Sequence, residues 1–202
     1  MWNISRRSLF AAIAGISGFA TPDRISATPD RMKGKTMKIY LAGPLGFSEA
    51  GRSFHDGKLI PAIVRLGYEV IDPWKLTDQR KIDAVAALPY GPARRDAWQK
   101  LNVEIGGNNR SGIDRSDLIV AVLDGVDVDS GTASEIGYGF AKGKRIIGYR
   151  GDFRLSADNE GSAVNLQVEY FIRQSGGEIV TALADLLGTL AKVKASGQDI
   201  PH

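Results

Sequence analysis

The stretch DLIVAVLDGVDVDSGTASEIGYGFAKGKRIIGY, residues 117–149, decides the fold. DLIVAVL (117–123) is a continuous apolar run, short and rich in β-branched residues, which reads as a strand buried on both faces. The acidic, glycine-containing loop after it leads into a helical pattern at about 132–142. RIIGY (145–149) is then a second buried strand. A strand, a covering helix and another fully buried strand form a βαβ unit, and such units make parallel sheets with right-handed crossovers.

Working outward, KIYLA (38–42) is a first strand ended by Gly43-Pro44. A helix follows over about 51–66, with Leu59, Ile60, Ile63, Val64 and Leu66 spaced for one face. YEVID (68–72) is a strand stopped by Pro73. Residues 75–93 read as a short helix running into a loop. A longer helix covers about 94–114, weakened at Gly106 and Gly107. Asn165–Gln174 is helical, EIV (178–180) is a short strand, and 181–194 is a closing helix. The expected architecture is α/β: a Rossmann/flavodoxin-like three-layer sandwich of about five parallel strands with helices on both faces. In such sheets ligands bind beyond the carboxyl ends of the strands. AGPLGF (42–47), DPW (72–74) and DGVDVDSGTASE (124–135) should therefore meet in one cleft.

The chain has 202 residues, a length suited to one folded domain, placed here at 37–195. Its sequence pI is about 9.1. Residues 1–36 carry six basic side chains against Asp23 and Asp30, which leaves −1 of the formal +3 for the rest of the chain. A near-neutral domain has no electrostatic footprint for a nucleic-acid polymer. MWNISRRSLFAAIAGISGFATPDRISA places paired arginines before a modest apolar run and small residues, the layout of a twin-arginine export signal. The apolar run, Leu9–Ala20, is too short for a stable membrane anchor. These residues imply a periplasmic or otherwise exported protein with cleavage after Ala20 or Ala27. A start at Met37 would instead leave it cytoplasmic.

The absence of cysteine excludes disulfides, thiolate zinc sites and cysteine nucleophiles. The two histidines are His55, in the polar RSFHDGK and expected at the solvated surface, and the terminal His202. No metal and no cofactor are expected. The dinucleotide and P-loop glycine patterns do not occur, and Pro44 lacks the N–H an anion nest needs.

Residues 127–135, DVDSGTASE, admit two readings. Thr132-x-x-Glu135 fits a capping box, with Thr132 as N-cap and Glu135 at N3. Alternatively, Glu135 is a nucleophile kept ionised by the helix dipole, with Asp129 close by to manage protons. Two carboxylates flanking a glycosidic bond are standard equipment for displacement at an anomeric carbon.

KIYLAGPLGF, the block from Gly107 to Tyr149, and NLQVEYFIRQSGGEIV (165–180) together resemble the nucleoside 2-deoxyribosyltransferases and related N-glycosidases, over about residues 37–190. The central block is the most specific: an acid, Ser-Gly-Thr and Glu-x-Gly at the family's spacing behind a strand that starts with Ser116-Asp117. The resemblance implies that Glu135 attacks the anomeric carbon and forms a covalent glycosyl-enzyme. It implies that Asp129 holds the substrate and manages protons, and that Tyr40 lies beside the nucleophile. Asn109, eight residues before Asp117, falls on a substrate-contacting position, with Gly43, Pro44 and Gly131 in the matching loops. Asn165 and Gln167 match a segment that completes the site of a neighbouring subunit, so a homo-oligomer is implied. Phe47 and Trp74 either stack on a base or bury in the core, as large aromatics generally do.

The implied activity is transfer of a 2-deoxyribosyl group between nucleobases with retention, its partners being small-molecule nucleosides and bases. Two other readings stand beside it. One is hydrolysis of (deoxy)nucleosides or their 5′-monophosphates; the other is a non-catalytic exported nucleoside-binding domain. Asp129 resembles the transferase branch more than the monophosphate hydrolase branch, where a serine contacts phosphate. A phosphoribohydrolase-like enzyme would have an arginine beside the catalytic glutamate, and this chain has none there.

Overall fold

A computed structural model describes residues 36–196; the segment read as an export signal and His202 lie outside them. Five strands form one sheet: β1 (Lys38–Ala42), β2 (Glu69–Ile71), β3 (Leu118–Val122), β4 (Arg145–Tyr149) and β5 (Ile179–Val180). Their order is β2-β1-β3-β4-β5, and all neighbours are parallel. This is the flavodoxin-like order expected of alternating strands and helices, with its switch point between β1 and β3.

Side chains alternate between the faces of the two central strands, which divides the core in two. Ile39, Leu41, Leu118 and Val120 pack with Leu59, Ile63, Leu186 and Leu190 on one face. Tyr40, Ala42, Ile119 and Ala121 pack with Ile113, Ile136 and Ile172 on the other. Burial on both faces explains why β1 and β3 read as unbroken apolar runs. The first layer comes from α1 (Glu49–Phe54), α2 (Ile60–Arg65) and α7 (Leu183–Ala195). The second comes chiefly from α4 (Pro92–Asp114), α5 (Ser130–Ala141) and α6 (Leu166–Gln174), with α3 (Gln79–Ala86) packed on α4.

Three departures from the sequence expectations bear on the site. First, the helix expected over 51–66 starts at Glu49, capped by Ser48, and contains a π turn at His55–Leu59. Pro61 supplies the reason: its ring clashes with the carbonyl four residues back in a regular α-helix. The chain widens instead, and Ile60 N–H donates to His55 O, five residues back. The turn carries His55 inside, where it is only 4% exposed, so the solvated-surface expectation fails. Second, α4 runs through the exposed Gly106 and Gly107 without a break, so their weak helix propensity does not end it. Third, the N-cap of α5 is Asp129, not Thr132. Its Oδ2 accepts from both the N–H and the hydroxyl of Thr132, at 2.9 and 3.0 Å. An aspartate caps at least as well as a threonine, and here one carboxylate also satisfies a buried hydroxyl. The helix thus begins at Ser130, which puts Thr132 at N3 and Glu135 at the sixth position.

Candidate active site

Beyond the carboxyl ends of β1, β2 and β3, three loops and α4 enclose a cavity of about 270 Å³. Gly43 and Phe47 come from the loop after β1, and Pro73 and Trp74 from the turn after β2. Ile105 and Asn109 come from α4, and Asp129, Gly131, Thr132 and Glu135 from the start of α5. Gly43 is required by its backbone: φ is +154°, and a Cβ there would stand 2.8 Å from Val122 Cβ.

Glu135 is the chemical centre of this cavity. Tyr40, fully buried in β1, donates its phenol to Glu135 Oε1 at 2.5 Å. Asn109 Nδ2 donates to the same oxygen at 3.5 Å, a long contact. Asn109 Oδ1 is buried and accepts no hydrogen bond among the described residues. Burial pushes the Glu135 carboxyl up to about 7; the Tyr40 bond works against this and the charge of Asp129 adds to it. Burial thus works against the helix-dipole argument for an ionised Glu135. The side chain is six residues into the helix, beyond the turn where the dipole acts, and desolvation dominates. Burial, then the neighbouring carboxylate, also hold the Tyr40 phenol well above its ordinary range. Tyr40 stays a proton donor.

The cavity brings together Tyr40, Gly43, Phe47, Trp74, Asn109, Asp129, Gly131 and Glu135 from the residues singled out in the sequence. Phe47 and Trp74 are not core residues. They are 72% and 37% exposed and meet edge to face at 4.7 Å at the cavity wall. Pro44 opens a 3₁₀ turn, Pro44–Phe47, and does not line the cavity. Asn165 and Gln167 are also away from it. Asn165 Oδ1 caps α6 by accepting from Gln167 N–H at 3.0 Å, and Gln167 is exposed. Pro73, Ile105 and Thr132 were missed as lining residues. Thr132 lay inside the motif already quoted, but only the fold could bring Ile105 of α4 to the cavity.

Two larger hollows lie elsewhere. One, about 430 Å³, lies between β5 and α7; the other, about 530 Å³, shares the Trp74 wall. The smaller cavity is favoured on chemistry, because a perturbed acid, a phenol and a free amide oxygen converge there. Among the described residues, His55, Asp56 and Asp72 have the makings of a metal site, with ligand atoms within 4.8 Å of one another. Lys75 already answers the two carboxylates, its Nζ 2.9 Å from Asp56 and 3.3 Å from Asp72.

A parallel sheet with a partly buried acid beyond its strand ends, at the switch point, defines an α/β protein of the flavodoxin-like type with one candidate active-site carboxylate. The sequence model of the nucleoside 2-deoxyribosyltransferases matches residues 39–167, and the chain belongs to that family. It is accordingly an enzyme of nucleoside deoxyribosyl transfer or N-glycoside cleavage, acting on nucleosides and nucleobases. No curated protein sequence matches it. Among solved structures, a conserved protein from Enterococcus faecalis V583 is 25% identical, with a TM-score of 0.55, over 78% of this chain and 99% of that one. A 2-deoxyribosyltransferase from the psychrotolerant Bacillus psychrosaccharolyticus shares the fold at 21% identity and TM-score 0.53, over 76% of this chain and 95% of that one. The 2-deoxyribosyltransferase from Leishmania mexicana does so at 21% identity and TM-score 0.53, over 77% and 97%.

Proposed function

We propose that the protein transfers a 2-deoxyribosyl group between nucleobases through an ester on Glu135. The observation that carries this reading is the partly buried Glu135 carboxylate in the cavity, held by the Tyr40 phenol at 2.5 Å. Both hydrogen bonds fall on Oε1, so Oε2 is the oxygen available to attack C1′. The C1′–N bond breaks as the C1′–O bond forms, and the departing base takes a proton from a bound water or through Asp129. The nitrogen of an incoming base then displaces the carboxylate from the opposite side and loses its proton, giving net retention. A deoxyribosyl donor suits this path because no 2′-hydroxyl withdraws electrons from the cationic transition state.

Phe47 and Trp74 offer aromatic surface to the base. Asn109 Oδ1, buried and without a partner, offers an acceptor to a sugar hydroxyl. Asn165 and Gln167 lie away from the cavity of their own chain, and this supports the reading that they complete the site of a neighbouring subunit in a homo-oligomer. The twin-arginine-like leader supports export, for which N-terminal sequencing of the mature protein is the check.

Intact-mass analysis after incubation with a panel of deoxynucleosides tests the chemistry. A deoxyribosyl adduct on wild type that is lost in Glu135→Ala is the expected result. Base exchange by Glu135→Ala at the wild-type rate would remove the nucleophile assignment. Free base released with no exchange would make the enzyme an N-glycosidase instead.

A further inference from the structure

The indole of Trp74 is a partition. On one side lies the cavity with Glu135, and on the other the hollow of about 530 Å³ bordered by His55, Asp56, Asp72 and Thr77. An unsupported indole would have room to swing into that hollow, so what holds the ring decides how large the nucleoside cavity is.

Two contacts hold the ring, and a third fixes the turn that carries it. The ring lies on the backbone of Gly46, where an added Cβ would stand 2.2 Å from the indole carbons. The Phe47 ring meets it edge-on at 4.7 Å. The turn Pro73–Lys75 that carries Trp74 is closed by Asp72, whose Oδ1 accepts from the backbone N–H of Trp74 at 3.1 Å.

Asp72 is itself only 6% exposed, and the same Oδ1 lies 3.2 Å from Nε2 of the buried His55. That contact is short but off the line of a hydrogen bond. Burial alone would raise the Asp72 carboxyl, yet His55, the Trp74 N–H and Lys75 hold it below its usual range. His55 reaches Asp72 because the π turn brings it into the interior. Neither His55 nor Asp72 lines the cavity that holds Glu135.

We infer that His55 and Asp72 are positioning residues that clamp Trp74 as the wall of the nucleoside cavity and so set the size of base the enzyme accepts. This rests on the nucleoside reading of that cavity, and the experiment has one readout that needs no nucleoside. His55→Ala leaves Asp72 buried without its neighbour, and Asp72→Ala removes the cap. His55→Gln keeps a polar side chain beside Asp72, and Asp72→Asn keeps an acceptor for the backbone N–H of Trp74. Gly46→Ala dislodges the ring from its other side without touching the pair.

The first readout is the Trp74 contribution to fluorescence, taken as the difference between each protein and its Trp74→Phe counterpart. The second is kcat/KM for a deoxynucleoside with a bulky substituent on the base, relative to an unsubstituted one. His55→Ala, Asp72→Ala and Gly46→Ala are expected to shift Trp74 emission to the red and to raise that ratio by about tenfold. The increase should lie mainly in KM for the bulky base, and His55→Gln and Asp72→Asn should stay near wild type. If the alanine variants of His55 and Asp72 do not fold, the comparison of Gly46→Ala with the two conservative variants carries the same contrast. Unchanged emission and unchanged selectivity in folded His55→Ala would overturn the inference. A wild type that turns over no nucleoside would overturn the functional reading, leaving emission to judge the clamp.

Discussion

The carboxylate of Glu135 shares one oxygen between the phenol of Tyr40 and the amide of Asn109, and burial pushes its pKa up to about 7. A nucleophile must be ionised, so kcat/KM is expected to rise with pH through about 7. Tyr40→Phe removes the bond that favours the charged form, and the rising limb should move to higher pH. Asp129→Asn removes a repelling charge while keeping a good cap, and the limb should move to lower pH. A pH–rate profile in which the two variants move together would contradict this account.

The same ionisation sets a stability signature. A folded-state pKa raised from 4.5 to about 7 contributes stability that is fully present below pH 4.5 and is lost as pH rises through 7. Glu135→Gln, a neutral mimic, should therefore raise stability at pH 8 by up to about 3 kcal/mol, with no such pH-dependent gain below pH 4. Denaturant unfolding at the two pH values measures the difference.

At the scale of elements, α5 has to start where Glu135 can face β1. Asp129 at the cap and Thr132 at N3 fix that start, and the same carboxylate borders the cavity. Asp129→Ala should cost roughly 1–2 kcal/mol, Asp129→Asn only a few tenths, and thermal unfolding reads both. The motif DSGTASE was legible as a helix start, but its cap was not. Aspartate and threonine three residues apart both suit the position, and the choice depends on the Thr132 hydroxyl being buried. His55 shows the same limit from the other side. Its polar neighbours suggested solvent, while Pro61 downstream shaped the turn that carries it inward.

At the scale of the whole molecule, the order β2-β1-β3-β4-β5 places three loops at one end of the sheet, where β1 and β3 diverge. If Asn165 and Gln167 complete a neighbour's cavity, mixed oligomers should show complementation. Glu135→Ala and Asn165→Ala subunits, each inactive alone, should recover about one quarter of wild-type activity when co-assembled as pairs. No recovery from a verified mixed assembly would place Asn165 in a purely structural role as the α6 cap.

The sequence by itself determined the strands and the parallel sheet, because buried runs and local spacing are properties of a few adjacent residues, while spacing left Glu135 open between a helix cap and a nucleophile. Its resemblance to a family marked Tyr40, Asn109 and Asp129 alongside Glu135. Tertiary structure alone decided that burial raises the Glu135 carboxyl, that Phe47 and Trp74 line a cavity, and that His55 backs Asp72. Desolvation and wall-building depend on atoms far apart in the chain, and those distances do not exist until the sheet has formed.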